Sequence, residues 1–161
     1  MPDLLWDDVK DFFDPDLMGA LPDVSVEGTS VDDWQAVFDL VRSSGWAWEY
    51  LEGRVAVPLP PAAEVLSRPA DSETVNLQVW PTSGVLAIFR PMSAEEIDFD
   101  VDLRELQGQA GVDILCRFLA AVGRRLGKRV VMTAEGDFGN RVLGFDPTVD
   151  RVVLMADPQL S

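Results

Sequence analysis

The sequence contains no histidine, and this absence limits the chemistry that the chain can perform. Histidine is the commonest general base, the usual partner of a serine or cysteine nucleophile and a frequent ligand of transition metals. In addition, no motif in the chain specifies a reaction, a phosphate-binding loop or a set of metal ligands. We therefore expect no catalytic residues, no bound metal and no cofactor.

Cysteine and long apolar runs are also scarce. Cys116 is the single cysteine, so the chain has no internal disulfide, which suits a reducing compartment. No apolar run approaches the roughly 18–20 residues of a membrane-spanning helix. The first residues are acidic and lack the basic and apolar regions of a signal peptide. We expect a cytoplasmic protein without membrane contact. Eleven arginines against two lysines, with abundant alanine and valine, suggest a bacterial source.

Basic residues are few relative to acidic ones. The chain has 13 Lys and Arg against 28 Asp and Glu, a net charge of −15 and a pI near 4.1. This balance argues against binding to nucleic acid. The charge is uneven, because residues 1–103 hold 21 acidic and 5 basic side chains, whereas residues 104–161 hold 7 and 8. Five of the bases fall close together: Arg117, Arg124, Arg125, Lys128 and Arg129.

The apolar periodicity predicts an α+β fold in a single domain, residues 1–161. Two main helices are expected at 30–44 and 111–126, with a short amphipathic helix over Leu4–Phe13 that Pro15 ends. The remaining patterns predict a mostly antiparallel sheet of about five to eight strands. In this sheet "DVSVE" is expected at an edge, and the uninterrupted apolar run Val85–Phe89 is expected to be covered on both faces. Trp46, Trp48 and Tyr50 alternate in sequence and are expected to pack in the core. The stretch "GDFGN" is interpreted as a turn.

The segment "IDFDVDL", residues 97–103, alternates apolar residues with Asp98, Asp100 and Asp102. Successive side chains of a strand point to opposite faces, so the three carboxylates are expected on one face, and the apolar residues on the other. Neighbouring carboxylates would lie about 6.5–7 Å apart, too far for both to bind one ion directly. The plainest interpretation is a solvated face that deters edge-to-edge aggregation. The carboxylates could also pair with the basic end of the second long helix, or dock a basic partner.

Two functional hypotheses follow. The first is a non-catalytic acidic binding protein that docks a basic protein, as an immunity protein or inhibitor of a basic toxin does. Asp98, Asp100 and Asp102 would form the partner-binding face, and Asp7, Asp8 and Asp11 a second one. The second hypothesis is a small-molecule-binding domain or a carboxylate-dependent enzyme. It requires a carboxyl group of raised pKa in a pocket between the sheet and a helix.

Overall fold

Nine strands form one antiparallel sheet in the computed structural model, which describes residues 2–156. In chain order they are β1 (Asp23–Glu27), β2 (Ala47–Glu52), β3 (Val55–Ala56), β4 (Val75–Thr82), β5 (Val85–Phe89), β6 (Glu96–Asp100), β7 (Val130–Ala134), β8 (Asp137–Asp146) and β9 (Arg151–Leu154). From one edge to the other, their order is β3-β2-β4-β5-β6-β1-β7-β8-β9. The α+β class and the antiparallel pairing are as predicted.

Two long helices accompany three short ones within residues 2–156. The α-helices are α1 (Trp6–Val9), α2 (Pro15–Met18), α3 (Val31–Ser43), α4 (Ala62–Leu66) and α5 (Gly108–Leu126), with 3₁₀ turns at Lys10–Phe13 and Leu103–Glu105. Helix α3 matches the helix predicted at 30–44. Ser30 caps it, accepting a hydrogen bond from the Asp33 N–H, while the Asp33 carboxylate accepts one from the Ser30 N–H. Helix α5 begins three residues before the predicted 111 and ends before Gly127, which has a left-handed φ of 65°.

The N-terminal helix is broken, unlike the prediction of one helix over Leu4–Phe13. The α-helix ends at Val9, a 3₁₀ turn follows, and Pro15 starts α2 at its first position. Its apolar residues Val9, Phe12 and Phe13 are buried, as an amphipathic segment requires, whereas Leu5 is exposed.

Helices α3 and α5 pack against each other and cover one face of the sheet. The ring of Phe118 in α5 lies edge-on to those of Phe89 in β5 and Phe99 in β6, with ring centroids 6.1 and 5.4 Å apart. Tyr50 is buried, as predicted, whereas Trp46, just before β2, and Trp48 are partly buried and pack against the core, Trp46 on the ring of Phe118. Neither long helix covers the opposite face of the sheet, which we call the open face.

The sheet differs from the prediction in three respects: the position of β1, the covering of β5 and the number of strands. The segment "DVSVE" forms β1 and lies between β6 and β7, near the middle of the sheet rather than at an edge. Strand β5 was expected to be covered on both faces, but Leu86 and Ile88 are only half-buried, because they point to the open face. The sheet also has nine strands, one more than the largest number expected.

The two edges of the sheet are protected in different ways. Strand β3 contains only two residues, which leaves little backbone for another chain to pair with. At the other edge, the backbone N–H of Val152 in β9 donates a 2.8 Å hydrogen bond to the carboxylate of Asp3. The Asp3 carboxylate therefore accepts the hydrogen bond of a backbone N–H that could otherwise pair with a strand of another chain.

Candidate docking face

Because apolar and acidic residues alternate along β6, the two kinds of side chain point to opposite faces of the sheet. Ile97 and Phe99 are fully buried, and Phe99 packs against α5. Asp98 and Asp100 therefore point to the open face, where both are half-buried. The predicted separation of apolar and acidic side chains is confirmed for these residues.

Strand β1 places further acidic residues beside those of β6. In the antiparallel register, Asp23 lies opposite Asp100, Ser25 opposite Asp98, and Glu27 opposite Glu96. Val24 and Val26 are buried on the helix side, so the residues that alternate with them face the open side. We call the resulting group the acidic face; its members are Asp23, Glu27, Glu96, Asp98 and Asp100.

Arg90 is a cation within this group. Its backbone N–H donates a 3.3 Å hydrogen bond to the carbonyl of Asp98, which places Arg90 beside β6. Its guanidinium donates to the Asp100 carboxylate at 2.7 Å. Among residues 2–156, Arg90–Asp100 is the one ion pair that a member of the acidic face forms, so the five carboxylates keep a net negative charge.

Burial and mutual repulsion perturb two of these carboxyl groups. Burial raises the pKa of Asp98 above its ordinary value, and the neighbouring Glu96, Asp23 and Asp100 raise it further, whereas Arg90 lowers it. Burial also raises the pKa of Asp23, with smaller contributions from the charges of Asp100 and Glu135 and an opposing hydrogen bond from the Gly136 backbone. The folded protein therefore holds negative charge at these positions at a cost.

The register explains part of that cost. Like charges directly opposite each other on neighbouring strands destabilise a sheet, and both Asp23–Asp100 and Glu27–Glu96 are such pairs. Arg90 compensates the first pair through its contact with Asp100. A cationic group bound from outside would relieve the remaining repulsion.

Asp102 has a different position from the one predicted. Strand β6 ends at Asp100, and Asp102 instead caps the 3₁₀ turn Leu103–Glu105 by accepting from the Arg104 N–H. Its carboxylate also accepts from the Arg104 side chain at 2.9 and 2.7 Å. These hydrogen bonds lower the pKa of Asp102 below its ordinary value. The Asp102 carboxylate therefore already has hydrogen-bond donors within its own turn, unlike that of Asp98.

Asp7, Asp8 and Asp11 are exposed and lie on the N-terminal segment. This segment packs against the start of α5, where the Gln109 side chain accepts from the Trp6 N–H at 2.7 Å and donates to the Leu4 carbonyl at 2.9 Å. The three aspartates therefore belong to the helix layer of the molecule. The structure does not bring them onto the open face with Asp98 and Asp100.

The basic end of α5 pairs with acidic residues other than those of β6. Arg124 contacts Asp150 at 2.7 Å, and Lys128 contacts Asp33 at 3.2 Å. Arg129 approaches Asp146 at 3.8 Å. The hypothesis that this cluster neutralises the carboxylates of residues 97–103 is therefore wrong.

Sequence reasoning missed three members of the acidic face: Asp23, Glu27 and Glu96. The signal for the first two was present, since "DVSVE" alternates in the same way as "EIDFD". What the sequence did not reveal was that these two strands are neighbours and that their charged residues point to the same side.

Two further surface grooves lie beside helices, and the second also includes Arg90, so it reaches the margin of the acidic face. One of about 600 Å³ lies along α5 and includes Cys116 and Arg117, and one of about 480 Å³ lies beside α4 and includes Arg68 and Met92. Burial raises the pKa of Cys116 to about 12, so its thiol is not a reactive nucleophile at neutral pH. Within residues 2–156, no three acidic or cysteine side chains are arranged to hold a metal ion.

The chain matches no model of a known protein family, no curated protein and no solved structure, so its residues alone must indicate its function. No helix among residues 2–156 has the length and apolar character needed to cross a bilayer.

Proposed function

We propose that this protein is a non-catalytic acidic binding protein of the cytoplasm whose acidic face docks a basic protein partner, as immunity proteins and inhibitors do. The observation that carries the proposal is the pairing of like charges across β1 and β6, Asp23 with Asp100 and Glu27 with Glu96. This arrangement costs folding free energy, and a cationic partner would recover that cost on binding.

The position of the acidic face supports this role. It lies on regular strands that α5 supports from behind through Phe99, so the carboxylates are held by a rigid scaffold. Half-burial removes part of the hydration of Asp23, Asp98 and Asp100, which strengthens hydrogen bonds from arginine or lysine of a partner. The net charge of −15 would also accelerate the encounter with a basic protein at low ionic strength.

Asp7, Asp8 and Asp11 are proposed as a second, separate contact for the partner, because they are exposed on the helix layer. Asp102 is proposed at the margin of the first contact, with a smaller contribution, since Arg104 already neutralises it.

The alternative hypothesis requires a carboxyl group of raised pKa in a pocket between the sheet and a helix. Asp23 and Asp98 have raised pKa values, but both face away from α5. The groove along α5 that contains Asp113 is lined by helix and N-terminal residues rather than by the sheet. A groove of about 380 Å³ between β4 and α5 is lined by Thr82, Ile114, Phe118 and their neighbours, without a carboxyl side chain. We therefore favour docking over small-molecule chemistry.

The test compares two variants that remove three negative charges each. The first, Glu27→Gln/Glu96→Gln/Asp98→Asn, removes three of the five carboxylates of the acidic face without touching an ion pair of residues 2–156. The second, Asp16→Asn/Glu64→Gln/Asp71→Asn, removes three exposed carboxylates that lie outside both proposed contacts and is the matched control for overall charge. Both are immobilised beside the unchanged protein, and extracts of the source cell are passed over them at low ionic strength.

We expect the unchanged protein to retain one basic protein that is released as salt is raised. The acidic-face variant should bind the purified partner at least roughly tenfold more weakly, about 1.4 kcal/mol, and the control variant should lose much less. Equal loss in both variants would show that only total charge matters. Failure to retain any basic protein, or unchanged binding by the first variant, would contradict the proposal.

A further inference from the structure

A groove on the open face, separate from the acidic face along most of its length, has a composition unusual for this acidic chain. Its volume is about 420 Å³, within the range of small-molecule sites. Strand β7 forms its floor and β8 one wall, and Ser25 and Glu27 of β1 border the opposite side. Three cations line it: Lys128, Arg129 and Arg141.

Thr133 lies in the floor of this groove and has an unusual environment. It is 5% exposed and is the one buried polar residue that the fold contains between residues 2 and 156, aromatic side chains excluded. Its hydroxyl has a single contact, 3.5 Å from the carbonyl of Asp23, which is longer than an ordinary O–H···O hydrogen bond. A buried hydroxyl without a good partner is costly, so this group is suited to a ligand.

Arg141 lies opposite Thr133 in the register of β7 and β8. Lys128 and Arg129 already contact Asp33 and Asp146, but Arg141 forms no ion pair within the described part of the chain. Its planar guanidinium matches the oxygens of a phosphate, and the other two cations add positive charge nearby.

An aromatic side chain borders the same groove. Phe138 is 70% exposed, although a phenylalanine is ordinarily buried. The cause is local: the register between β7 and β8 shifts on both sides of Thr133, and irregularities of this kind bend a strand away from its partner. The exposed ring offers a surface on which another flat ring can stack.

From these observations we propose that the groove binds a small phosphate ester that carries an aromatic ring. Arg141 pairs with the phosphate, the Thr133 hydroxyl donates a hydrogen bond to the ligand, and Phe138 stacks on its ring. Two carboxylates also line the groove: Glu27 on the β1 side repels anions, and Asp146 contacts Arg129 at 3.8 Å. The phosphate is therefore placed beside Arg141 in β8. This inference concerns residues outside the contact proposed for the basic partner, apart from Glu27 at the shared border.

The probe is phenyl phosphate, added to the full chain while backbone amide signals are followed by nuclear magnetic resonance. Inorganic phosphate and phenol, the two halves of the probe, are added in parallel at the same ionic strength. We expect saturable shifts around Thr133, Phe138 and Arg141, with phenyl phosphate binding more tightly than either half.

Single substitutions test which side chain contacts the phosphate and which contacts the ring of the ligand. Arg141→Gln should weaken phenyl phosphate at least tenfold, and Phe138→Ala should reduce its affinity to that of inorganic phosphate. Arg54→Gln, at the turn between β2 and β3 near the opposite edge of the sheet, is the matched control and should bind as the unchanged protein does. Absence of saturable shifts, unchanged binding by Arg141→Gln, or equal affinity for phenyl phosphate and inorganic phosphate would overturn the proposal.

Discussion

Asp98 shows at the scale of one residue how the acidic face affects stability. Its side chain is half-buried, and its pKa is raised because burial and the surrounding carboxylates disfavour the charged form. A carboxyl group whose pKa is higher in the folded than in the unfolded state binds more protons when folded. The destabilisation is therefore complete above the folded pKa and disappears as the pH falls below the ordinary value near 4.

Replacing Asp98 by Asn should consequently stabilise the protein at neutral pH. We expect a gain of roughly 0.2–1 kcal/mol, the range for charged neighbours across strands, measured as a rise in the thermal midpoint at pH 7.5. The gain should shrink as the pH is lowered to about 3. Asp7→Asn, which changes an exposed residue of the N-terminal segment, is the control. A loss of stability in Asp98→Asn would mean that the carboxylate has a favourable interaction in the folded state.

At the scale of elements, the contact between α5 and β8 depends on a glycine. A methyl group added at Gly123 would overlap the ring of Phe145, which lies beneath this turn of the helix. The guanidinium of Arg124 lies over the same ring, 5.7 Å from its centroid. Helix and strand therefore approach each other closely at this position.

We expect Gly123→Ala to destabilise the protein by about 1–3 kcal/mol, as overpacking of a core does, although alanine favours helix formation. Urea denaturation measures the change. The double variant Gly123→Ala/Phe145→Leu should recover part of the loss, because the smaller side chain leaves room for the methyl group. Gly139→Ala, where the nearest atom is 3.9 Å from the added carbon, should have little effect. Additive losses in the double variant would contradict a direct clash.

An element could be predicted from the sequence when residues close to it in the chain determine it, and could not when distant residues do. Helix α3 was predictable because Ser30, Asp33 and the apolar stripe are local signals. The end of the N-terminal segment at Phe13 was not, since the side chain of Gln107, far along the chain, donates to the Phe13 carbonyl. Likewise, the alternation at Asp98 and Asp100 was readable in sequence. The pairing of Asp23 with Asp100 depends on strand order, which periodicity does not encode.

At the scale of the whole molecule, the charge of −15 opposes compaction. The ion pairs of the described chain are mostly surface contacts, such as Arg124–Asp150, and contribute little individually. Net repulsion should therefore dominate the effect of salt. Screening weakens this repulsion over distances beyond about 8–10 Å at moderate ionic strength.

We accordingly expect the midpoint of urea denaturation to rise when sodium chloride is increased from low to moderate concentration. The variant Glu27→Gln/Glu96→Gln/Asp98→Asn should start from a higher midpoint and respond less to salt. Potassium chloride should act in the same way as sodium chloride, because the effect is electrostatic screening. A midpoint that falls with salt would indicate that attractive pairs outweigh the excess of negative charge.

The hydrogen bond between Asp3 and Val152 has a consequence for how the chain is made. During synthesis Asp3 leaves the ribosome long before β9 exists, so the group that occupies a donor of the outermost strand is present before that strand forms. As soon as β9 joins β8, a segment of the same polypeptide that was made earlier can close its margin. The folded chain does not need a neighbour to cover that margin, and neighbouring copies find less backbone there on which to polymerise.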